Sequence, residues 1–186
     1  MPGQPQPAPV ALIGPMAAGK TSVGRTLARI LARDFIDTDK EIVRVHGPIP
    51  ALFEEHGEAE FRRREAATVA ESLRPGAVVS LGGGAVLDAG TRELLREATV
   101  VLITVTEGAV VDRISNDKRP LLTQDGVQAW RRIWQEREPV YRALAHAEAD
   151  TSHRPMRRVA EEVAAWVLEH EHPGAASTEE SGTLRV

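Results

Sequence analysis

The sequence predicts a three-layer α/β/α domain built on a central parallel sheet of about five strands. Short apolar runs alternate with segments of helical spacing, a pattern that favours parallel βαβ units with right-handed crossovers. The apolar runs, such as TVVLITV at 99–105, are continuous, which is typical of strands covered by helices on both faces. A chain of 186 residues suits one domain, which we expect over residues 8–172, with flexible tails at 1–7 and 173–186.

The expected elements alternate along this domain. Strands are expected at residues 9–13, 35–36, 77–81, 99–105 and 147–151. Helices are expected at residues 20–33, 41–45, 49–55, 58–73, 91–96, 107–114, 127–145 and 156–170. The first helix illustrates the reasoning, because Val23, Leu27 and Leu31 recur at the spacing of one helix face. We expect an interruption near Pro139 and a mobile lid near residues 116–126, where the chain is polar and rich in helix breakers.

Composition excludes several classes of function. The chain has no cysteine, so disulfides, cysteine-ligated zinc and a cysteine nucleophile are excluded, as suits a reducing cytoplasm. The N-terminus lacks the charged and apolar regions of a signal peptide, and no apolar run approaches membrane-spanning length. A net charge of −4 does not favour non-specific binding to nucleic acid. We therefore expect a cytoplasmic monomer whose partners are small molecules, not nucleic acid or membranes.

The first strand runs into GPMAAGKT, residues 14–21, which has the pattern Gly-x-x-x-x-Gly-Lys-Thr between a strand and a helix. Backbone N–H groups at such a helix start form an anion cradle. Lys20 would add a cation for the β- and γ-phosphates, and the Thr21 hydroxyl could bind Mg²⁺. The expected nucleotide-binding residues of this segment are Gly14, Ala17, Ala18, Gly19, Lys20, Thr21 and Ser22. A turn that only caps the helix is the less favoured interpretation, and the P-loop NTPase fold follows.

The P-loop does not identify the phosphate acceptor, because GTPases, motors and small-molecule kinases share it. Asp37 and Asp39 follow the second strand, where ligands of open parallel sheets lie. One carboxylate could hold Mg²⁺ through water while the other accepts a hydroxyl proton. Capping of the next helix by Asp39 is an equally good interpretation of the pair taken alone.

Arginines supply two further candidate groups. The segment EFRRRE at 60–65 lies in an expected helix, where adjacent residues point about 100° apart, so its three arginines cannot all face one ligand. A solvated face of Arg–Glu pairs is the favoured interpretation of that segment alone. RPLL at 119–122 and REPVYR at 137–142 flank the breaker-rich stretch. Arginines there could neutralise a transferred phosphoryl group beneath a closing loop, or could simply be surface residues.

The segment SLGGGAV at 80–86 ends the third strand on three glycines. A turn requires one or two residues with positive φ, so turn geometry alone does not explain three glycines. We interpret them as a wall without side chains, against which a ring can lie close to backbone N–H groups. A glycine-rich corner between strand and helix is the alternative.

Together these segments resemble those of shikimate kinases, small P-loop kinases of the nucleoside monophosphate kinase-like group. GPMAAGKT, DTD, EFRRRE, SLGGGAV, RPLL and PVYR occur in that family's order and near its spacing, and the resemblance covers roughly residues 10–151. The resemblance implies that ATP is the co-substrate and Mg²⁺ the cofactor. It also implies that the γ-phosphate of ATP passes to the 3-hydroxyl of shikimate.

The resemblance also implies roles for individual residues. Catalysis would involve Asp39 as activator of the attacking hydroxyl, Lys20, and Arg119 on the lid. Asp37 and Thr21 would support the metal ion. The remaining implied contacts are Arg62 and Arg142 with the shikimate carboxylate, Gly82, Gly83 and Gly84 with its ring, Phe53 and Phe61 as apolar walls, and Arg154 with adenine.

Two departures from the family pattern stand out. Ala17 occupies a P-loop position that is commonly glycine, so its backbone must adopt a conformation that tolerates a Cβ atom. The stretch from Arg113 to Arg119 is about one residue short, so we assign Arg113 no nucleotide role. A related kinase, such as a gluconate kinase, and a non-catalytic nucleotide-binding regulator remain as alternatives.

Overall fold

The computed structural model describes residues 6–116, 124–171 and 184–185. The strands are β1 (Val10–Ile13), β2 (Asp34–Asp37), β3 (Ala77–Ser80), β4 (Thr99–Thr104), β5 (Ala147–Asp150) and β6 (Leu184–Arg185). They form one sheet in the order β2-β3-β1-β4-β5-β6, and each neighbouring pair is parallel. The expected five strands are confirmed. The sixth, β6, lies within the segment 173–186 that was expected to be a tail.

The helices are α1 (Lys20–Leu31), α2 (Thr38–His46), α3 (Ile49–Ser72), α4 (Ala89–Leu95), α5 (Glu107–Asn116), α6 (Gln124–Leu144) and α7 (Met156–Glu171), with a 3₁₀ turn at Ala85–Leu87. The break expected between 55 and 58 is present, because Gly57 is non-helical inside α3, with φ 77° and ψ 171°. The interruption expected near Pro139 is wrong: α6 runs through this proline, and it begins at Gln124, inside the expected lid.

Continuous apolar strands give the sheet two buried faces. Val10 and Leu12 of β1 pack with α1 and α7 on one face, while Ala11 and Ile13 pack with α3, α4 and α6 on the other. This arrangement confirms the three-layer architecture, and it explains why the strands lack the polar alternation of a half-exposed sheet.

A separate small cluster joins α2 to α3. Ile42, Leu52 and Phe61 are buried together, and the Phe53 ring stacks on Phe61 with ring centroids 4.5 Å apart. Among the described residues, no helix is both long and apolar enough to cross a membrane.

The topology places the candidate site at one edge of the sheet. β1 leads into the P-loop, β2 ends at Asp37, and Gly82 follows β3 after the single residue Leu81. Because these strands are neighbours in the order β2-β3-β1, their carboxyl ends meet where ligands of open α/β sheets bind.

Candidate active site

The P-loop connects β1 to α1 through residues with positive φ. Gly14 has φ 136° and Gly19, the residue before the helix, has φ 90°. A Cβ atom at Gly14 would collide with the backbone carbonyl of Ile103 on β4, so only glycine fits there. The first N–H groups of an α-helix have no partner within the helix, and at the start of α1 they suit an anionic phosphate.

Lys20, the first residue of α1, lies within this loop. Its Nζ donates to the carbonyl oxygens of Gly14 and Pro15, both at 2.8 Å. Loss of solvation lowers the pKa of Lys20 to about 8, although the negative charges of Asp39 and Asp37 partly oppose the shift. A cation that is poorly solvated and hydrogen-bonded to backbone carbonyls is well prepared to bind phosphate.

Thr21 and Asp37 form the candidate metal-binding pair. The Thr21 hydroxyl donates to Asp37 Oδ2 at 2.7 Å, and the other carboxylate oxygen of Asp37 accepts from the Lys40 N–H at 3.3 Å. Asp37, rather than Asp39, therefore caps α2. Among the described residues, no cluster of three or more acidic or histidine side chains could hold a metal ion. One hydroxyl and one carboxylate nevertheless fit Mg²⁺, which usually keeps several waters and binds substrate phosphates.

Asp39 lies in the first turn of α2, and it is exposed at the cleft. Partial desolvation is the main cause that raises the pKa of Asp39, and the nearby Asp37 charge raises it further. Lys20 and Arg62 oppose this shift by their positive charges. Asp39 is thus in electrostatic reach of both the phosphate cradle and an arginine of α3.

The three glycines after β3 lie against the polar side chains of the site. A Cβ atom at Gly82 would lie 2.6 Å from Asp39 Oδ1 and 2.8 Å from Glu65 Oε1. A Cβ atom at Gly84 would collide with the Arg62 guanidinium, whereas at Gly83 it would make ordinary contacts of 3.6–3.8 Å. Glycine is therefore required at positions 82 and 84 because side-chain atoms occupy the space of a methyl group, while the contact of a ring with this backbone stays a prediction.

Two arginines and a buried glutamate complete the cleft. Arg62 Nη1 donates to Glu65 Oε2 at 2.6 Å, and Glu65 is only 3% exposed. The pKa of Glu65 is raised, mainly because the carboxyl group is buried. The hydrogen bond and charge of Arg62 and the charge of Arg137 oppose this shift. Arg137 Nη1 would lie 3.8 Å from a Cβ atom at Gly83, and its buried Nε has no hydrogen-bond partner among the described residues. The cleft therefore offers two guanidinium groups against one buried carboxylate, which suits an anionic ligand.

Comparison with known proteins gives a consistent result. The family model described as shikimate kinase matches residues 16–168. A shikimate kinase of Corynebacterium efficiens is 41% identical over 157 residues, which cover 83% of this chain and 93% of that protein. The chain belongs to the shikimate kinase family. It is therefore an ATP-dependent phosphotransferase that acts on a hydroxyl group.

Solved structures agree with this assignment. A shikimate kinase from Acinetobacter baumannii in complex with shikimate aligns with a TM-score of 0.81 at 38% identity, covering 89% of this chain and 95% of that chain. A gluconokinase from Sinorhizobium meliloti aligns with a TM-score of 0.65 at 18% identity, covering 91% and 97%. The second likeness shows a shared fold alone.

The structure does not bring every predicted residue to the shikimate kinase site. Arg142 is directed to Glu138, at 2.9 Å, and to Glu148, and its side chain is 42% exposed. The structure therefore does not place Arg142 beside Arg62, as the sequence had led us to expect. Positions five residues apart on a helix point roughly 140° apart, so α6 cannot direct both Arg137 and Arg142 at one ligand. Arg137 is the arginine of α6 that lies beside the glycines.

Other predicted contacts stay predictions. Arg154 forms an ion pair with Glu162 of α7, so stacking on adenine would require that pair to rearrange. Arg119 and most of the expected lid fall at 117–123, outside the described residues. Phe61 is buried beneath the Arg62 guanidinium, whose Cζ lies 5.3 Å from its ring centroid, while Phe53 stays partly exposed. Ser22 is exposed in the first turn of α1.

Glu65 and Arg137 are the residues that sequence reasoning missed. Both carried a signal, because Glu65 follows Arg62 by three positions and Arg137 precedes Tyr141 by four, so each pair shares a helix face. Tyr141 is buried, and its hydroxyl donates to the carbonyl of Gly83. The face of α6 that carries Tyr141 therefore contacts the glycine segment after β3.

Proposed function

We propose that this protein transfers the γ-phosphate of ATP to the 3-hydroxyl of shikimate, giving shikimate 3-phosphate and ADP. The observation that carries the proposal is the position of Asp39. Its carboxylate interacts electrostatically with Lys20 of the P-loop and with Arg62, and it lies against the backbone of Gly82. A hydroxyl group at this point would have a base, a phosphate cradle and a carboxylate-binding arginine around it.

The reaction requires one proton transfer and one exchange of phosphorus–oxygen bonds. The acceptor hydroxyl gives its proton to Asp39, its oxygen bonds to the γ-phosphorus, and the bond to the oxygen bridging the β- and γ-phosphates breaks. The raised pKa of Asp39 makes it a stronger base than an ordinary aspartate. Lys20 leaves the carbonyls of Gly14 and Pro15 to bind phosphate oxygens when ATP enters, and it stabilises their charge during transfer.

The ring carboxylate of shikimate would lie between Arg62 and Arg137. Arg137 replaces the earlier candidate Arg142 in this proposal, because its Nη1 lies near Gly83 and its buried Nε has no hydrogen-bond partner among the described residues. Glu65 holds Arg62 in place and partly neutralises the pair, which keeps two guanidinium groups close together without a ligand. An acid lacking the ring could meet the arginines, but would not fill the space along Gly82–Gly84.

We propose that Thr21 and Asp37 hold Mg²⁺, which would neutralise charge on the β- and γ-phosphates. Arg119 is proposed to reach the transferred phosphate from the lid. We further propose that the enzyme works as a cytoplasmic monomer. Light scattering on the purified chain tests the last point, and a stable dimer would contradict it.

A coupled assay of ADP release with Mg²⁺, ATP and shikimate tests the main proposal. We expect ADP release that depends on shikimate, with a far higher kcat/KM than for gluconate or quinate. Folded protein that releases no more ADP with shikimate than without it would refute the proposal. A preference for gluconate would replace it with the second candidate acceptor.

A further inference from the structure

The carbonyl oxygens of the P-loop are held by side chains from distant parts of the chain. The indole Nε1 of Trp130 donates to the Met16 carbonyl at 3.1 Å. Arg113 Nη1 donates to the Ala17 carbonyl at 2.7 Å, and the Thr151 hydroxyl donates to the Ala18 carbonyl at 2.7 Å. Three consecutive peptide groups are thus fixed from outside the phosphate cradle.

The middle residue of this set, Ala17, has an unfavourable backbone conformation. Its φ is 63°, in the left-handed region that L-residues with a Cβ atom rarely occupy and that glycine adopts freely. Ala17 is also exposed, so burial of its side chain does not hold it there. An alanine at this position needs another source of restraint.

The two carbonyl bonds supply that restraint. The peptide between Met16 and Ala17 fixes φ of Ala17, and the peptide between Ala17 and Ala18 fixes its ψ. Trp130 binds the first peptide and Arg113 binds the second. Since the N–H of a planar trans peptide points away from its carbonyl, outward carbonyls also set the direction of the amides that the loop offers to phosphate.

We propose that Trp130 and Arg113 are positioning residues that hold Ala17 in the left-handed conformation and so keep the P-loop ready for nucleotide. Trp130 lies on α6 and Arg113 on α5, the two helices that flank residues 117–123. The inference rests on the P-loop being the nucleotide site of the proposed function, and it does not depend on which acceptor is phosphorylated.

A purely structural role for Trp130 is the competing explanation. Trp130 is 3% exposed and stacks on Trp134 with ring centroids 6.2 Å apart, so its ring also fills the core. Phenylalanine keeps an aromatic ring at this position and removes the N–H donor. The Trp130→Phe variant therefore tests the hydrogen bond with the least disturbance of packing.

The deciding experiment is a double-mutant cycle between Trp130→Phe and Ala17→Gly, measured as the Kd of Mg·ADP by calorimetry. In the natural background we expect Trp130→Phe to weaken binding by about three- to tenfold, the usual worth of one hydrogen bond. In the Ala17→Gly background we expect less than about a twofold change, because glycine adopts positive φ without restraint. Trp134→Phe, a matched loss of an indole from the same helix, should leave the Kd within about twofold in either background.

The outcomes separate the alternatives. An equal loss of affinity in both backgrounds, or no loss in either, would overturn the role of Trp130. If Trp130→Phe does not fold, as judged by thermal unfolding, the same cycle is run with Arg113→Met, and absence of rescue by Ala17→Gly overturns the inference. Natural enzyme that binds no Mg·ADP would instead refute the nucleotide site itself. We expect the KM for shikimate to stay the same in these variants. A KM that rises in parallel with the Kd of Mg·ADP would show that the effect is not confined to the P-loop.

Discussion

A methyl group placed on Gly82 would lie 2.6 Å from Oδ1 of Asp39. The backbone after β3 therefore determines where the carboxylate can sit. The neighbouring atoms are the ends of the Asp39 and Glu65 side chains, which can move aside at little cost in packing. We expect Gly82→Ala to lower kcat at least tenfold, about 1.4 kcal/mol in barrier, while the melting temperature changes little. A near-normal kcat, with folding confirmed by circular dichroism, would show that the close approach has no catalytic consequence.

Gly84→Ala should act on binding rather than on rate, because its Cβ atom would collide with the guanidinium of Arg62. A displaced Arg62 loses its place beside the ligand carboxylate, so we expect a raised KM for shikimate and a smaller change in kcat. Steady-state kinetics of the two alanine variants side by side make the comparison. If both variants changed the same parameter, the distinct roles of Asp39 and Arg62 would be contradicted.

Asp39→Asn should keep the fold and lose most of the rate. Removal of a general base costs on the order of 10²–10⁴-fold. The raised pKa of Asp39 adds a pH signature: activity requires the carboxylate form, so the rate rises with pH through a pKa above that of an ordinary aspartate. That acidic limb should be missing from whatever activity Asp39→Asn retains. A near-normal rate would show that Asp39 only orients the acceptor.

Arg137 and Arg142 form a natural matched pair on α6. We expect Arg137→Ala to raise the KM for shikimate by about 10–100-fold, because a charge-assisted, bidentate contact to a carboxylate is lost. Arg142→Ala should change it less than about twofold, since its exposed ion pairs with Glu138 and Glu148 contribute little. The KM for ATP should stay the same in both variants. A larger effect from Arg142→Ala would restore the assignment made from sequence.

Asp37→Asn should weaken the binding of Mg²⁺ by the enzyme. The substitution removes a negative charge beside the Thr21 hydroxyl, and its single amide oxygen can still accept one of the two hydrogen bonds that the carboxylate accepts from Thr21 and from the Lys40 N–H. We expect the Mg²⁺ concentration for half-maximal activity to rise about tenfold or more with the fold intact. An unchanged Mg²⁺ titration would limit Asp37 to its structural role.

Because the pKa of Lys20 is lowered, we expect nucleotide binding to depend on pH. Its pKa is lowered to about 8 in the free protein, while a bound phosphate would restore the charged form. Above pH 8 the nucleotide must bind together with a proton, so the Kd of ADP should rise by up to about tenfold per pH unit. Calorimetry in buffers of different ionisation heat measures the proton uptake, and Lys20→Met should show none. A Kd that is constant between pH 7 and 9.5 would contradict the lowered pKa.

The lowered pKa of Lys20 also affects the stability of the folded protein. Nucleotide binding weakens as the pH rises, whereas the folded state becomes more stable. Between about pH 8 and the ordinary lysine pKa of 10.5, the unfolded chain binds the Lys20 proton and the folded chain does not. The free energy of unfolding attributable to Lys20 therefore rises with pH in this window. The Lys20→Met variant should lack that rise, which denaturant titrations at pH 8 and 10 can measure.

The elements of the fold were readable from the sequence because strand and helix leave local signals. The continuous apolar run of β4 and the helical spacing of Val23 and Leu27 required no tertiary information. The expectation at Pro139 was wrong because a proline usually breaks a helix, yet α6 continues past it and Tyr141, two residues later, is buried. A helix held by tertiary packing on both sides of a proline can tolerate the lost hydrogen bond.

For the site, the sequence by itself determined the P-loop, the two aspartates after β2 and the glycines after β3. Each of these is a short segment whose chemistry is encoded by residues adjacent in the chain, and parallel topology brings the strand ends together. Only the tertiary structure decided which arginine of α6 enters the cleft, that Glu65 is buried beneath Arg62, and how Ala17 adopts a glycine-like conformation. Those properties depend on the rotation of a helix about its axis and on contacts between residues far apart in the chain, such as Trp130 with Met16, 114 positions apart. Side-chain direction across such distances is set by packing, which no local pattern records.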